Sequence, residues 1–204
     1  MDVVASLYGR NNLLDIVSRT TQNVFIPITV GGGIRGIDDA LKALRAGADK
    51  VAINTAATKR SDLVTELAER FGSQCVVLSI EAMKRRDGDG WEVYTDNGRE
   101  KTGLDVVDWA QQAASLGAGE ILLTSIDQEG TQRGFDEKLV RAVVDVVGIP
   151  VIASGGMGSV EDFDTVVQSA GADAVAAAHV LHYDKISIAN IKKAAAERGM
   201  AVRP

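Results

Sequence analysis

Short, nearly continuous apolar runs alternate along the chain with longer amphipathic segments. The runs are Val3–Ser6, Phe25–Val30, Lys50–Ile53, Cys75–Ile80, Glu120–Ser125, Pro150–Ala153 and Ala174–Ala178. Runs of this length, rich in β-branched residues, predict parallel strands covered on both faces. Between them, Asn12–Thr20, Asp38–Ala46, Ser61–Phe71, Asp105–Leu116, Glu137–Val147 and Val160–Ser169 carry apolar residues at helical spacing, and Ser187–Arg198 adds a last helix. Ser61 precedes its helix as an N-cap, while Gly47, Gly72, Gly117, Gly148 and Gly171 stand just past helix ends. Strict alternation of strand and helix means βα units on a parallel sheet. One segment breaks the rhythm. Residues 83–103 are polar, pass through Asp87-Gly88-Asp89-Gly90, then alternate through Trp91, Val93 and Tyr94 to Asn97-Gly98. An Asn-Gly pair between alternating positions predicts an inserted β-hairpin.

An internal repeat sets the architecture. Gly32-Gly33-Ile34-Arg35-Gly36-Ile37-Asp38-Asp39 is echoed by Gly155-Gly156-Met157-Gly158-Ser159-Val160-Glu161-Asp162. Each leads through a helix to Ala46-Gly47-Ala48-Asp49 or Ala170-Gly171-Ala172-Asp173. The offset is about 123 residues, and two such halves make a unit of about 246, close to the roughly 250 of a (β/α)8 barrel. The expected fold is therefore α/β, a TIM barrel of two half-barrel repeats forming one domain over residues 1–204. Relative to that unit the chain is short at its N-terminal end by about 45 residues, one βα unit.

Composition narrows the class. The 204 residues include 22 Lys+Arg and 28 Asp+Glu, for a net charge of −6, with 46% hydrophobic and 25% charged residues. That balance excludes wholesale disorder, and the acidity argues against nucleic acid as a partner. No apolar run approaches the ~20 residues of a membrane helix. The start Met1-Asp2-Val3-Val4 is no secretory signal, and a single cysteine, Cys75, leaves no internal disulfide. A cytoplasmic location without membrane contact is expected.

In such barrels the chemistry sits at the C-terminal strand ends. There the two Gly-Gly turns, Gly32-Gly33 and Gly155-Gly156 after Ser154, each open a helix, and the following strand ends carry Asn54-Thr55 and Ala178-His179. Glycines let a backbone approach an anion, and helix N-termini point free N–H groups at it. The repeated pair predicts a substrate bearing two phosphates, although tight turns alone would also use glycine. Between the turns, Glu81 ends one apolar run and Asp127 follows another, positions suited to general acid–base work. His179 is expected at the mouth, whereas His182, Trp91, Trp109 and Cys75 are expected to be structural. Neither a metal-ligand cluster nor a nucleotide-binding fingerprint is present, so no cofactor and no metal are expected.

These residues carry a family resemblance. The motifs Thr29-Val30-Gly31-Gly32-Gly33-Ile34, Ile53-Asn54-Thr55-Ala56-Ala57, Phe71-Gly72-Ser73-Gln74, Gly117-Ala118-Gly119-Glu120-Ile121-Leu122-Leu123-Thr124-Ser125-Ile126-Asp127 and Ile152-Ala153-Ser154-Gly155-Gly156 resemble those of the cyclase subunits of imidazole glycerol phosphate synthase. The resemblance runs the whole length and implies a lyase of histidine biosynthesis. Ammonia from a glutaminase subunit, docked as a heterodimer on the N-terminal face, would convert a ribulosyl aminoimidazole-carboxamide nucleotide into imidazole glycerol phosphate and aminoimidazole-carboxamide ribotide. It implies that Gly33, Asn54 and Thr55 hold one phosphate and that Gly156 with Ala178 and His179 hold the other. It further implies that Asp127 lies in the substrate site and that Lys50 and Glu120 belong to an ammonia gate on the barrel floor. Glu81 stands where the family has a catalytic aspartate, and His179 where it usually has serine. A cyclase-like paralogue that supplies ammonia for amidation of a surface-polysaccharide sugar is the alternative the glutamate suggests.

Overall fold

The computed structural model describes Met1, residues 13–200 and Val202. The run Val3–Ser6 lies outside the described residues. Eight strands follow in order: β1 (Thr29–Gly31), β2 (Lys50–Ile53), β3 (Val76–Lys84), β4 (Trp91–Thr95), β5 (Glu100–Asp105), β6 (Glu120–Ser125), β7 (Val151–Ser154) and β8 (Ala174–Ala176). The order β1-β2-β3-β6-β7-β8 is parallel throughout, and helices stand between the strands, the layout of a (β/α) barrel-type fold. Antiparallel β4 and β5 branch from β3 as the hairpin foreseen from Asn97-Gly98. The core joins strand residues such as Ile53, Leu78, Ile80, Ile121 and Leu123 to helix residues such as Leu63, Leu67, Leu139 and Val143, all essentially buried. Near-continuous apolar strands are what coverage on both faces requires. Among the described residues no helix is long and apolar enough to cross a membrane.

Several expectations need correction. Of the run Phe25–Val30 only Thr29 and Val30 enter β1, with Phe25 and Ile26 exposed. Pro27 lacks an amide to donate, and the next amide, on Ile28, goes to the Asp49 carboxylate instead of a ladder. Ser61 occupies an N-cap position without a side-chain cap. A short helix, Thr55–Lys59, runs almost directly into Asp62–Phe71, so backbone carbonyls of Arg60 and Ser61 accept the first amides. A second short helix, His179–His182, occupies the equivalent place in the other half. Both were absent from the periodicity because a single turn has no period to show.

The repeat is visible as chemistry. Asp49 accepts the Ile28 amide at 2.7 Å through its carboxylate while its own amide donates to the Ile28 carbonyl at 2.9 Å. Asp173 does the same with Val151, at 2.9 Å and 3.0 Å. Each aspartate closes a βαβ unit by fastening the turn after the helix to the start of the preceding strand. Arg35 and Gly158 likewise each donate a backbone amide to the carboxylate of Asp39 or Asp162, four residues on, at 3.1 and 2.8 Å. Replacing Asp173 by Ala removes a charge-assisted bond and leaves the Val151 amide unpaired, a loss of about 1–2 kcal/mol. A lower urea midpoint with an unchanged slope is the expected result.

Candidate functional site

The C-terminal ends of the strands form two cavities. The first, about 540 Å³, is lined by Gly32, Gly33, Asn54, Thr55, Ser79, Glu81 and Asp96, with Met1, Arg35, Lys59 and Arg60 also contributing; the Arg60 guanidinium pairs with Glu66. The second, about 120 Å³, is lined by Ser154, Gly155, Gly156, Ala178 and His179 together with Glu129 and Gln132. Each unites one Gly-Gly turn with the loop that opens the next short helix, so the two are built alike from the two halves. The larger falls within the size range of small-molecule sites. The smaller has room for one phosphoryl-sized group.

The Gly-Gly turns have a local reason as well. Gly156 has φ +108, and a Cβ there would collide with the carbonyl oxygen of Gly134, whose amide donates to the Gly156 carbonyl at 2.9 Å. Glycine is therefore required for packing at this position whether or not an anion binds. At the helix that follows, Ser159 and Asp162 form a capping box, and Asp162 already accepts the amides of Gly158 and Ser159 at 2.8 Å each. Any anion in the second cavity must therefore use groups before Gly158, those of the Gly-Gly turn and the Ala178–His179 loop.

Glu81 lies on β3 where that strand pairs with both Tyr94 of β4 and Thr124 of β6. Its carboxylate accepts the Gly98 amide at 2.8 Å. Burial raises its pKa above the usual glutamate value; the Gly98 amide opposes this, and the carboxylates of Asp96 and Glu129 reinforce it. A carboxyl whose neutral form is favoured by burial is suited to giving up a proton. The other three polar contacts come from the hairpin. Asn54 donates its side-chain amide to the Tyr94 carbonyl at 3.1 Å, and Thr55 and Asp96 make a long reciprocal contact at 3.4 Å. The side-chain oxygen of Asn54 is buried and has no protein partner.

Asp127 falls elsewhere. It lines neither of the two cavities; it is exposed and accepts the Lys84 amide at 2.8 Å, in a separate open cleft with Phe135, Asp136 and Lys138. The cause is the ladder at the end of β6. Ile126 donates to the Ala82 carbonyl and packs beneath Gly98, which turns the next residue outward toward the base of the hairpin. At the opposite strand ends, Lys50 of β2 and Glu120 of β6 form an ion pair. His179 stacks on Tyr183 with ring centroids 4.6 Å apart, and His182 meets the same ring edge-on. Sequence reasoning missed Asp96, Gly98 and Glu129. Asn97-Gly98 marked the turn, but nothing local says that its tip folds over the mouth.

A family described as histidine biosynthesis protein matches residues 1–187. An imidazole glycerol phosphate synthase subunit HisF of Legionella pneumophila is 70% identical over 164 residues, covering 80% of this chain and 77% of that protein. The corresponding subunit HisF of Mycobacteroides abscessus is 53% identical over 208 residues, covering 100% of this chain and 80% of its own.

The raised pKa of Glu81 has a consequence for stability. Below the ordinary glutamate value the residue is protonated folded or unfolded, and burial costs nothing. As pH climbs through the raised value the fold must hold a buried carboxylate, and stability declines. Glu81→Gln is neutral at every pH, so its melting temperature should equal the wild type's at pH 4 and exceed it at pH 8. Calorimetry at both values checks this, and an equal offset at the two would refute it.

Proposed function

This chain belongs to the histidine biosynthesis protein family, and from that premise we propose how its site performs imidazole glycerol phosphate synthase cyclase chemistry. The substrate is the ribulosyl aminoimidazole-carboxamide nucleotide, a small molecule with a phosphate at each end. One phosphate lies against Gly32, Gly33, Asn54 and Thr55, with the cations Arg35, Lys59 and Arg60 on the rim of the same cavity. The other lies in the smaller cavity against Gly155, Gly156, Ala178 and His179. Two anion sites of common construction, with Glu81 at the first and in electrostatic contact with Glu129 of the second, are the observation that carries this reading.

Ammonia comes from a glutaminase partner subunit and enters from the floor, where the Lys50–Glu120 pair closes the N-terminal strand ends as a gate. It adds to the ribulosyl carbonyl, and the carbonyl oxygen must leave as water before the imidazole closes. That departure needs a proton, and Glu81 is the group placed to give it, since burial and two neighbouring carboxylates favour its neutral form. Once ionised, the same group accepts a proton from the added nitrogen as the ring closes, and the proton goes to the aminoimidazole-carboxamide ribotide nitrogen as its C–N bond breaks and that product leaves. Water, ammonia and the two products account for every atom, so the reaction calls for no cofactor. Asp127 has no part in this scheme, since its carboxylate serves the Lys84 amide outside both cavities.

The test uses the chain with ammonium chloride as nitrogen donor and follows imidazole glycerol phosphate by mass spectrometry. Glu81→Gln should lower kcat by roughly 10²- to 10⁴-fold, the usual contribution of a general acid–base group, with little change in KM. Asp127→Asn should stay within about threefold of wild type, as suits a surface carboxylate. A wild-type rate in Glu81→Gln would remove Glu81 from the mechanism. Absence of product from the wild-type protein, with the substrate shown to bind, would sink the cyclase reading in favour of an ammonia-supplying paralogue.

A further inference from the structure

The hairpin formed by β4 and β5 is unusually well tied to the mouth for an insertion. Its tip, Asp96-Asn97-Gly98, touches three different strand ends. Gly98 donates its amide to the Glu81 carboxylate at the end of β3, at 2.8 Å. Asp96 meets Thr55, in the loop after β2, through both amide and carboxylate at 3.4 Å. Gly98 packs over Ile126 at the end of β6, where a Cβ would stand 3.3 Å from the Ile126 Cδ1 atom. Two residues before the tip, the Tyr94 carbonyl accepts the side-chain amide of Asn54 at 3.1 Å. The base is equally fixed. Trp91 donates its indole N–H to Asp136 at 2.9 Å, Thr102 bonds the Val93 carbonyl at 2.7 Å, and Val93 and Tyr94 are buried.

A free surface hairpin would have no need of such anchoring at both ends. Asp96 and Asn97 hold positive φ values of +51 and +61, a conformation that non-glycine residues adopt at a cost and that aims the Gly98 amide back at Glu81. We propose that this hairpin is the positioning element of the site: its tip fastens the acid Glu81 to the Asn54–Thr55 anion loop, with Asp96 and Gly98 as positioning residues. The loop that grips a phosphate and the group that moves the proton are then held at one spacing by a single rigid turn. Asp96 acts on the acid in two ways, by holding the turn against Thr55 and by placing a negative charge near Glu81. The charged groups around Glu81 are Asp96 from the hairpin and Glu129 from the loop after β6, with Arg35, Lys59 and Arg60 on the cavity wall.

This proposal rests on the cyclase reading for its kinetic arm, and a ligand-free arm separates the two. In the ligand-free arm, ¹³C-labelled glutamate carboxyls are titrated by NMR, Glu81 being assigned by its loss in Glu81→Gln. In the wild type the Gly98 amide should shift with the Glu81 titration, and Asp96→Asn, isosteric with the aspartate and at ease with positive φ, should move that titration to lower pH. In the kinetic arm, Asp96→Ala should lower ammonium-dependent kcat by roughly ten- to hundredfold, the scale of a displacement of about 1 Å, with KM within about threefold. Asp96→Asn should restore most of kcat while moving the alkaline limb of the pH profile, set by ionisation of the acid, to lower pH. Should Asp96→Ala fail to fold, Asp96→Asn and the Gly98 amide decide alone. A Gly98 amide indifferent to Glu81, or an unmoved titration in Asp96→Asn, overturns the proposal whatever the turnover. A wild type that makes no product, with the Gly98 response intact, leaves the hairpin's role standing and fells only the cyclase reading.

Discussion

The arrangement of the site depends on β3 being a strand with three partners. Its first residues pair with β2, its middle with β6, and its last four with β4 running the other way. A backbone strand offers hydrogen bonds on only two sides, so three neighbours are possible only because the strand outruns β2. Where β2 stops, at Ile53, β4 takes over the vacant edge from Glu81 onward. Glu81 is thus the first residue of the handover. It sits at a place where the sheet changes partner and leaves a gap, which is why a carboxylate can be half-buried there and still face a cavity. The loop after β2 turns away at the same level, and Asn54 and Thr55 fill the opening. Cavity, acid and anion loop are three results of one change of partner.

The two halves of the chain use the same local construction for different ends. Aspartates at 49 and 173 fasten the strands identically, and each Gly-Gly turn is followed by a residue, Arg35 or Gly158, whose amide donates to a carboxylate four residues further on. The cavities nonetheless differ by more than fourfold in volume. The difference follows from the neighbours. The first cavity lies beside the β3 handover and opens toward the hairpin tip, whereas the second is filled by Glu129 and Gln132 from the loop after β6. A pseudo-symmetric scaffold therefore supplies two cavities of like construction, of which the one beside the β3 handover is the larger. Glu81 belongs to that space.

The strands and helices were legible because their signals are local: apolar runs for the buried strands, helical period between them, an Asn-Gly pair for the hairpin. The repeat made the pairing of Gly32-Gly33 with Asn54-Thr55, and of Gly155-Gly156 with Ala178-His179, legible too. Asp127 shows where that reasoning stops. It follows an apolar run, as Glu81 ends one, and the two look equivalent on paper. One extra ladder bond, from the Ile126 amide to the Ala82 carbonyl, prolongs the pairing beyond Ser125 and sends Asp127 to the outer side. In a strand each added residue reverses the facing of the next side chain, so an uncertainty of one residue in a strand end inverts the conclusion. Phe25 and Ile26 went astray for a related reason: an apolar run interrupted by Pro27 loses the donor that the ladder needs there.

The length of the acid gains a meaning from the turn above it. A glutamate reaches one methylene further than the aspartate the resemblance places at this position, and one more rotatable bond would ordinarily leave its carboxyl less well placed. Here one oxygen of that carboxyl is held by the Gly98 amide, on a turn itself seated on Ile126 and tied toward Thr55. Bonding to an amide fixes a carboxyl most firmly when the amide belongs to a rigid element, and the hairpin is anchored at base and tip. The same amide favours ionisation, yet burial outweighs it, so the acid is held in place while its pKa stays above the usual glutamate value. Orientation comes from the turn and proton affinity from the surrounding dielectric and the two neighbouring carboxylates. Asp96 takes part in both, through the turn it holds against Thr55 and through the charge it sets near the acid.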